Sequence, residues 1–220
     1  MKNLPAKTGG YMIFTDSFST MIFKDSLRKI FELDDNGILK MNFKAKLTFN
    51  CTQNYKVSGA LGHLLSLQKK SLSVSDMVIG EGNTCEWLLG GLSPTSTYTF
   101  FLDCNDQIKY HSDLCIIQLL TTYIAGDGST RLRISTISRK ISSSLETSNM
   151  INEIGKSFDQ EAAAVLIGRM CVDKNFKGED LKESLKWIDK TLIHLMSRFA
   201  KYTKDNFSSF KLTPQFNYFP

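Results

Sequence analysis

Cys104, His111 and Cys115 are the residues whose types come closest to a metal site in this sequence. Thiolate and imidazole both bind zinc, but the gaps are six residues and then three, and no fourth ligand pairs with them. Structural zinc wants four donors, commonly in close pairs. Cys115 also falls in an apolar run, where a free thiol packs as a small hydrophobe. The five cysteines, Cys51, Cys85, Cys104, Cys115 and Cys171, with His63, His111 and His194, supply the types for a Cys–His nucleophilic pair. Such a pair needs a base held against the thiol, and nothing in the spacing orients one. His194 lies between Ile193 and Leu195, one residue off an apolar helical stripe, and reads as a boundary residue; His63 follows Gly62 and reads as a loop residue.

Two short glycine loops, Gly80-Glu81-Gly82-Asn83-Thr84 and Gly126-Asp127-Gly128, bear on phosphate binding. Neither extends to GxGxxG or to Gly-Lys-Ser/Thr. Each is followed by a predicted strand rather than the helix N-terminus that cradles phosphate, so both read as hairpin turns. Arg131, Arg133, Arg139 and Lys140 form a basic stretch, with Arg131 and Arg133 on one strand face. This is either an anion-facing patch or the charge that guards an exposed sheet edge. The same two readings apply to Lys40, Lys44 and Lys46. No residue is therefore assigned to catalysis, cofactor binding or metal binding.

The composition agrees with a soluble globular chain: 220 residues, 42 % hydrophobic and 22 % charged, with 15 Phe to fill cores. That length is one large domain or two small ones. The net charge of +5 is spread, +2 up to Ser138 and +3 beyond it, whereas a nucleic-acid reader concentrates its charge. A mild basic bias suits an anionic surface or a solvated exterior equally. Five cysteines without CxxC pairing argue against a disulfide framework and for a reducing compartment. Met1–Gly10 has no apolar core after its lysines, so it is no signal peptide. No apolar run approaches a membrane span. The expected location is cytoplasmic.

Tyr11–Phe14 reads as a short strand, and Asp16 or Ser17 as the cap of a helix bearing Phe23, Leu27, Ile30 and Phe31 on one face. Asp34-Asp35-Asn36-Gly37 stops it. From Leu39 the period becomes two: Leu39, Met41, Phe43, Ala45, Leu47 and Phe49 alternate with polar residues. Further strands are expected at 55–60, 85–89, 98–104, 114–124 and 131–138, the pattern of an antiparallel sandwich or barrel. Beyond Ser138 the chain turns helical. Ser157-x-x-Gln160 has the form of a capping box ahead of Ala162–Met170. A long helix is expected from Glu179 to about Thr203. Its stripe of Leu181, Leu185, Ile188, Leu192, Leu195, Phe199 and Tyr202 should be buried against the preceding helix, leaving Lys186, Lys190 and Lys201 in water. Ser142–Ser144, within Arg139–Asn149, is the candidate linker.

Six strings, in one order, resemble a known family. They are Thr8–Met12 with Asp16–Phe18, Gly91–Thr95, Arg131–Ile137, Ser157–Ala164, Trp187–Ile193 and Lys204–Phe210. Together they resemble the inner-layer GTPase-activating subunit of the COPII coat (the Sec twenty-three family), over nearly the whole chain. The Phe158–Ala164 and Lys204–Phe210 strings favour it over the paralogous cargo-adaptor subunit. The resemblance implies a multi-domain α and β chain: residues 1–37 the end of an α/β, von Willebrand A-like trunk, 38–138 an antiparallel β-barrel or sandwich, and 139–220 an all-α helical domain. It implies an internal fragment, with the family's zinc finger expected upstream and its gelsolin-like domain downstream. The arginine that activates a Sar-type GTPase belongs to that last domain, and no arginine here inherits the role. Zinc is expected only in the missing finger. Implied partners are the Sar-type GTPase, the cargo-adaptor subunit, the outer-coat subunits and an acidic membrane surface, at the endoplasmic reticulum and on COPII vesicles. A barrel lacking the family's N-terminal strands should also leave an edge open. The rival readings are the cargo-adaptor subunit and a Cys/His hydrolase.

Overall fold

The alternation that begins at Leu39 becomes strand β1, Asn42–Cys51, with Ala45, Leu47 and Phe49 buried and the residues between them facing out. The computed structural model describes residues 3–104, 114–141, 155, 157–199, 201–203 and 205–211. The chain forms two compact units, Met1–Ile141 and Ser142–Pro220. His111 and the Ser142–Ser144 linker lie outside the described residues. A left-handed Lys44 (φ 51°) interrupts the ladder near the start of β1, and Phe43 beside it is exposed rather than inward.

Six more strands build the first unit: β2 Tyr55–Leu61, β3 Leu65–Ser66, β4 Glu86–Leu92, β5 Thr99–Cys104, β6 Leu114–Ile124 and β7 Thr130–Lys140. All but β3 coincide with expected strands, and β7 runs on past Ser138. They form a five-stranded antiparallel sheet in the order β3-β4-β1-β6-β7 and a two-stranded sheet, β2-β5. This is a sandwich, not a closed barrel. Among the described residues β7 has no strand on its outer side. The core contains Ala45, Leu47, Phe49, Val57, Ala60, Leu64, Cys85, Trp87 and Leu89. Phe100 of β5 bridges the layers, its ring centroid 5.3 Å from Phe49 and 5.2 Å from Trp87.

Strand β2 is buried from Val57 through Leu61 because it is covered on both edges. On one side it pairs with β5; on the other a strap, residues 73–82, bonds to it through Val57 N–H to Ser73 O (2.7 Å), Ser75 N–H to Val57 O (2.9 Å) and Glu81 N–H to Ala60 O (2.9 Å). Gly59 (φ 150°) permits this approach: a Cβ there would lie 2.0 Å from the Ile79 carbonyl oxygen.

The N-terminal segment departs from expectation. Tyr11–Phe14 is not a strand, and its side chains are largely exposed. It has no described neighbour to take ladder hydrogen bonds. A short helix, α1 (Asn3–Thr8), precedes it and packs on β4. The next helix, α2 (Met21–Ile30), is capped by Thr20 rather than by Asp16 or Ser17; Thr20 has extended backbone, and its Oγ1 accepts from Phe23 N–H at 3.3 Å. No residue of α2 is buried, so its apolar face is uncovered among the described residues. Asp34–Gly37 forms the expected stop as a tight hairpin.

The second unit holds α3 (Gln160–Phe176) and α4 (Leu181–Phe199). Helix α3 is capped by Asp159, whose Oδ1 accepts from Ala162 N–H at 3.0 Å, two residues later than the expected Ser157 cap. A carboxylate is favoured there by the positive end of the helix dipole. Helix α4 ends four residues before the expected Thr203. Lys201–Thr203 (β8) instead pairs antiparallel with Asn206–Lys211 (β9) around a left-handed Asp205 (φ 69°), so the unit is not all-α. The buried line of α4 is also shifted. Leu181 and Leu185 are exposed, Ile188, Leu192 and Leu195 are half-buried, and Ser184 is fully buried. The small Ser184 lets Asn175 Nδ2 reach across from α3 to its Oγ at 3.3 Å, while Lys174 Nζ sits 5.2 Å from the Trp187 ring centroid. Lys186 and Lys190 are exposed as expected; the Phe199, Lys201 and Tyr202 side chains lie outside the described set. No described helix is long and apolar enough to cross a membrane.

Candidate functional site

Within the sandwich Cys51, Cys104 and Cys115 lie around Tyr55, which pairs with Cys104 across β2 and β5 and whose carbonyl accepts from the Cys51 thiol. Cys104 is exposed at the end of β5 and Cys115 is buried in β6. Among the described residues no three His, Cys, Asp or Glu side chains gather into a metal-sized cluster. His63 and His194 are both exposed, and neither shares a hydrogen bond with a described cysteine.

Cys51, one of the thiols weighed for a nucleophilic pair, sits at the end of β1 and donates from Sγ to Tyr55 O at 3.0 Å. Burial pushes its thiol up to about 11, so it stays protonated and weakly nucleophilic near neutral pH. Native alkylation with iodoacetamide is expected to label Cys104 first and to reach Cys51, Cys85 and Cys115 only on unfolding. Mapping the modified peptides by mass checks this; labelling of Cys51 as fast as Cys104 would mean that the thiol is not shielded.

The two glycine loops part company. Gly126-Asp127-Gly128 is the β6–β7 hairpin turn, with Asp127 accepting from Ser129 N–H (2.8 Å), Ser129 Oγ (2.6 Å) and Arg131 (2.6 Å). Gly80–Asn83 is not a hairpin turn. It belongs to the strap against β2, and Glu81 O accepts from Trp87 Nε1 at 2.8 Å. Its glycines serve close backbone packing, which a local turn pattern cannot distinguish.

The basic groups divide by register. Lys40 pairs with Glu32 at 2.7 Å, and Lys46 with Glu86 at 2.6 Å. Lys69 closes on the other oxygen of Glu86, a carboxylate that is nearly buried on the outer face of the sheet. Lys46 of β1 and Lys40 just before it are thus engaged within the fold. On β7, Arg131, Arg133 and Arg139 face the same side, opposite Tyr123, Thr121 and Cys115 of β6. Arg131 pairs with Asp127, while Arg133 and Arg139 make no ion pair among the described residues. The arrangement can attract anions along one strand. It sets no described nucleophile beside a base.

Hydrogen bonds from Lys46 and Lys69 hold the Glu86 carboxyl below the ordinary glutamate value of 4.5. A lowered folded value stabilises the fold above the unfolded value, and that contribution disappears as pH falls through the folded one. Melting of Glu86→Gln should therefore depend less on pH than the wild type between neutral pH and well below 4.5. Parallel pH profiles would contradict the ion-pair account.

Comparison with known proteins follows the two units. Residues 42–142 match the Sec23/Sec24 beta-sandwich domain, and residues 159–220 match the Sec23/Sec24 helical domain. The crystal structure of the human COPII-coat protein Sec24c is similar with a TM-score of 0.51 at 18% sequence identity, over 88% of this chain. At that identity the likeness is one of fold. The chain spans 22% of the length of that protein.

Proposed function

This chain belongs to the Sec23/Sec24 family, and from that premise we propose that it is a scaffold portion of a COPII vesicle coat, acting in transport from the endoplasmic reticulum to the Golgi. The observation that carries the reading is the succession of the two family domains along the chain, the beta-sandwich match at 42–142 followed by the helical match at 159–220. We assign it to the GTPase-activating subunit, on the Phe158–Ala164 and Lys204–Phe210 strings. In that role the parent protein works with a Sar-type GTPase, the cargo-adaptor subunit and the outer coat, peripherally on the cytoplasmic side of the membrane. Activation there is electrostatic: an arginine supplied in trans stabilises charge that develops during GTP hydrolysis, worth ~10³–10⁵ in rate. The sandwich and helices would fix the spacing of the parts that hold such an arginine, and the arginines of β7 would face anionic lipid.

Single-turnover GTP hydrolysis by a Sar-type GTPase tests this assignment. The 220-residue chain alone is expected to give no stimulation. Stimulation lost in Arg131→Ala, Arg133→Ala or Arg139→Ala would place the activating arginine here and overturn the scaffold role. Capture of a cargo-signal peptide would instead assign the chain to the cargo-adaptor subunit, which shares the architecture.

A further inference from the structure

Of the 12 asparagines in the sequence, Asn36 alone precedes a glycine. It is exposed at the tip of the hairpin that joins α2 to β1, and its side-chain amide makes no hydrogen bond among the described residues. Gly37 is left-handed (φ 74°), with nothing within 4 Å of where a Cβ would stand. We propose that Asn36-Gly37 is a site of spontaneous covalent modification, in which the Gly37 backbone nitrogen closes on the Asn36 side chain to give a succinimide. The Gly37 amide loses its proton to hydroxide, and its nitrogen bonds to Asn36 Cγ. The Cγ–Nδ2 bond breaks and ammonia leaves. Water then opens either imide carbonyl, leaving aspartate or isoaspartate; no oxidant or reductant is needed. A side chain on residue 37 would crowd the attacking nitrogen, and glycine has none.

Asp34 sets how often the nitrogen is free. Its Oδ1 accepts from Asn36 N–H and Ile38 N–H, both at 2.9 Å, and its carbonyl accepts from Gly37 N–H at 3.0 Å. The hairpin must open for the attack to begin. Asp127-Gly128 is a useful contrast, since it offers the same backbone geometry with a different electrophile. Hydrogen bonds from Ser129, with Arg131 beside them, hold Asp127 below the usual carboxylate range, and a carboxylate anion resists nucleophilic attack. Isoaspartate at 36 would insert a methylene into the backbone. The Leu33–Leu39 bridge and the Lys40–Glu32 ion pair, which close the hairpin, would then separate.

The test is incubation of the folded chain in mildly alkaline buffer, followed by isoelectric focusing, peptide mass mapping and isoaspartyl methyl-transfer labelling. The expected result is one acidic species, its formal charge lowered from +5 to +4, with the change at Asn36 ahead of every other asparagine. Asn36→Gln should lack that species, and Asp34→Ala should form it faster. Conversion of another asparagine first, or an Asp34→Ala rate equal to the wild type, overturns the proposal.

Discussion

Trp87→Ala should unfold the sandwich or leave it barely stable. Trp87 is the largest fully buried side chain among the described residues, packed edge-on to Phe100 and tied by its indole N–H to the Glu81 carbonyl. Truncation loses its transfer free energy, leaves a cavity and frees the strap carbonyl, a cost of roughly 3–5 kcal/mol for a buried aromatic. Domains of this size are stable by only about 5–15 kcal/mol. Leu132→Ala is the control: it removes an apolar side chain from β7 that is 58 % exposed, and should change stability by no more than about 0.5 kcal/mol. Urea unfolding of the two variants measures the difference. Equal midpoints would mean that the core does not lie between β4 and β5.

Gly59→Ala should be the next most damaging change. Its backbone lies where side chains are rarely accommodated, which alone costs about 1–3 kcal/mol. The added methyl would also collide with the Ile79 carbonyl, 2.0 Å away, so the strap must move and its ladder bonds to β2 must loosen. Hydrogen exchange should show faster amide exchange at Ile79 and Glu81, together with a lower melting temperature. Unchanged exchange at these amides would show that the strap does not depend on Gly59.

The sandwich was legible because its strands follow a local rule. Alternation of period two marks β1, and strand-forming segments bounded by turn residues mark β2, β4, β5, β6 and β7. What escaped depended on long-range partners. The strap along β2 has no period of its own, since its hydrogen bonds run to residues far off in sequence. Tyr11–Phe14 had the composition of a strand but no described partner, and composition cannot supply one. On α4 the spacing was right and the facing was not, because the buried line passes through Ser184, a polar residue that a hydrophobic stripe omits. The lysines of β1 looked free in sequence; only folding brings Glu86 from β4 beside Lys46. The family, by contrast, was legible through ordered strings, and the domains matched at 42–142 and 159–220 agree at the level of the Sec23/Sec24 family.

The proposed place in a vesicle coat is tested most directly by isolating the protein from its own cells through an affinity tag, under conditions that preserve coats, and identifying what comes with it. The account predicts the paired inner-layer COPII subunit as the main companion, with the Sar-type GTPase joining when a non-hydrolysable GTP analogue is present. Recovery of the protein free of COPII subunits, from cells whose other coat subunits still co-purify with one another, would contradict it.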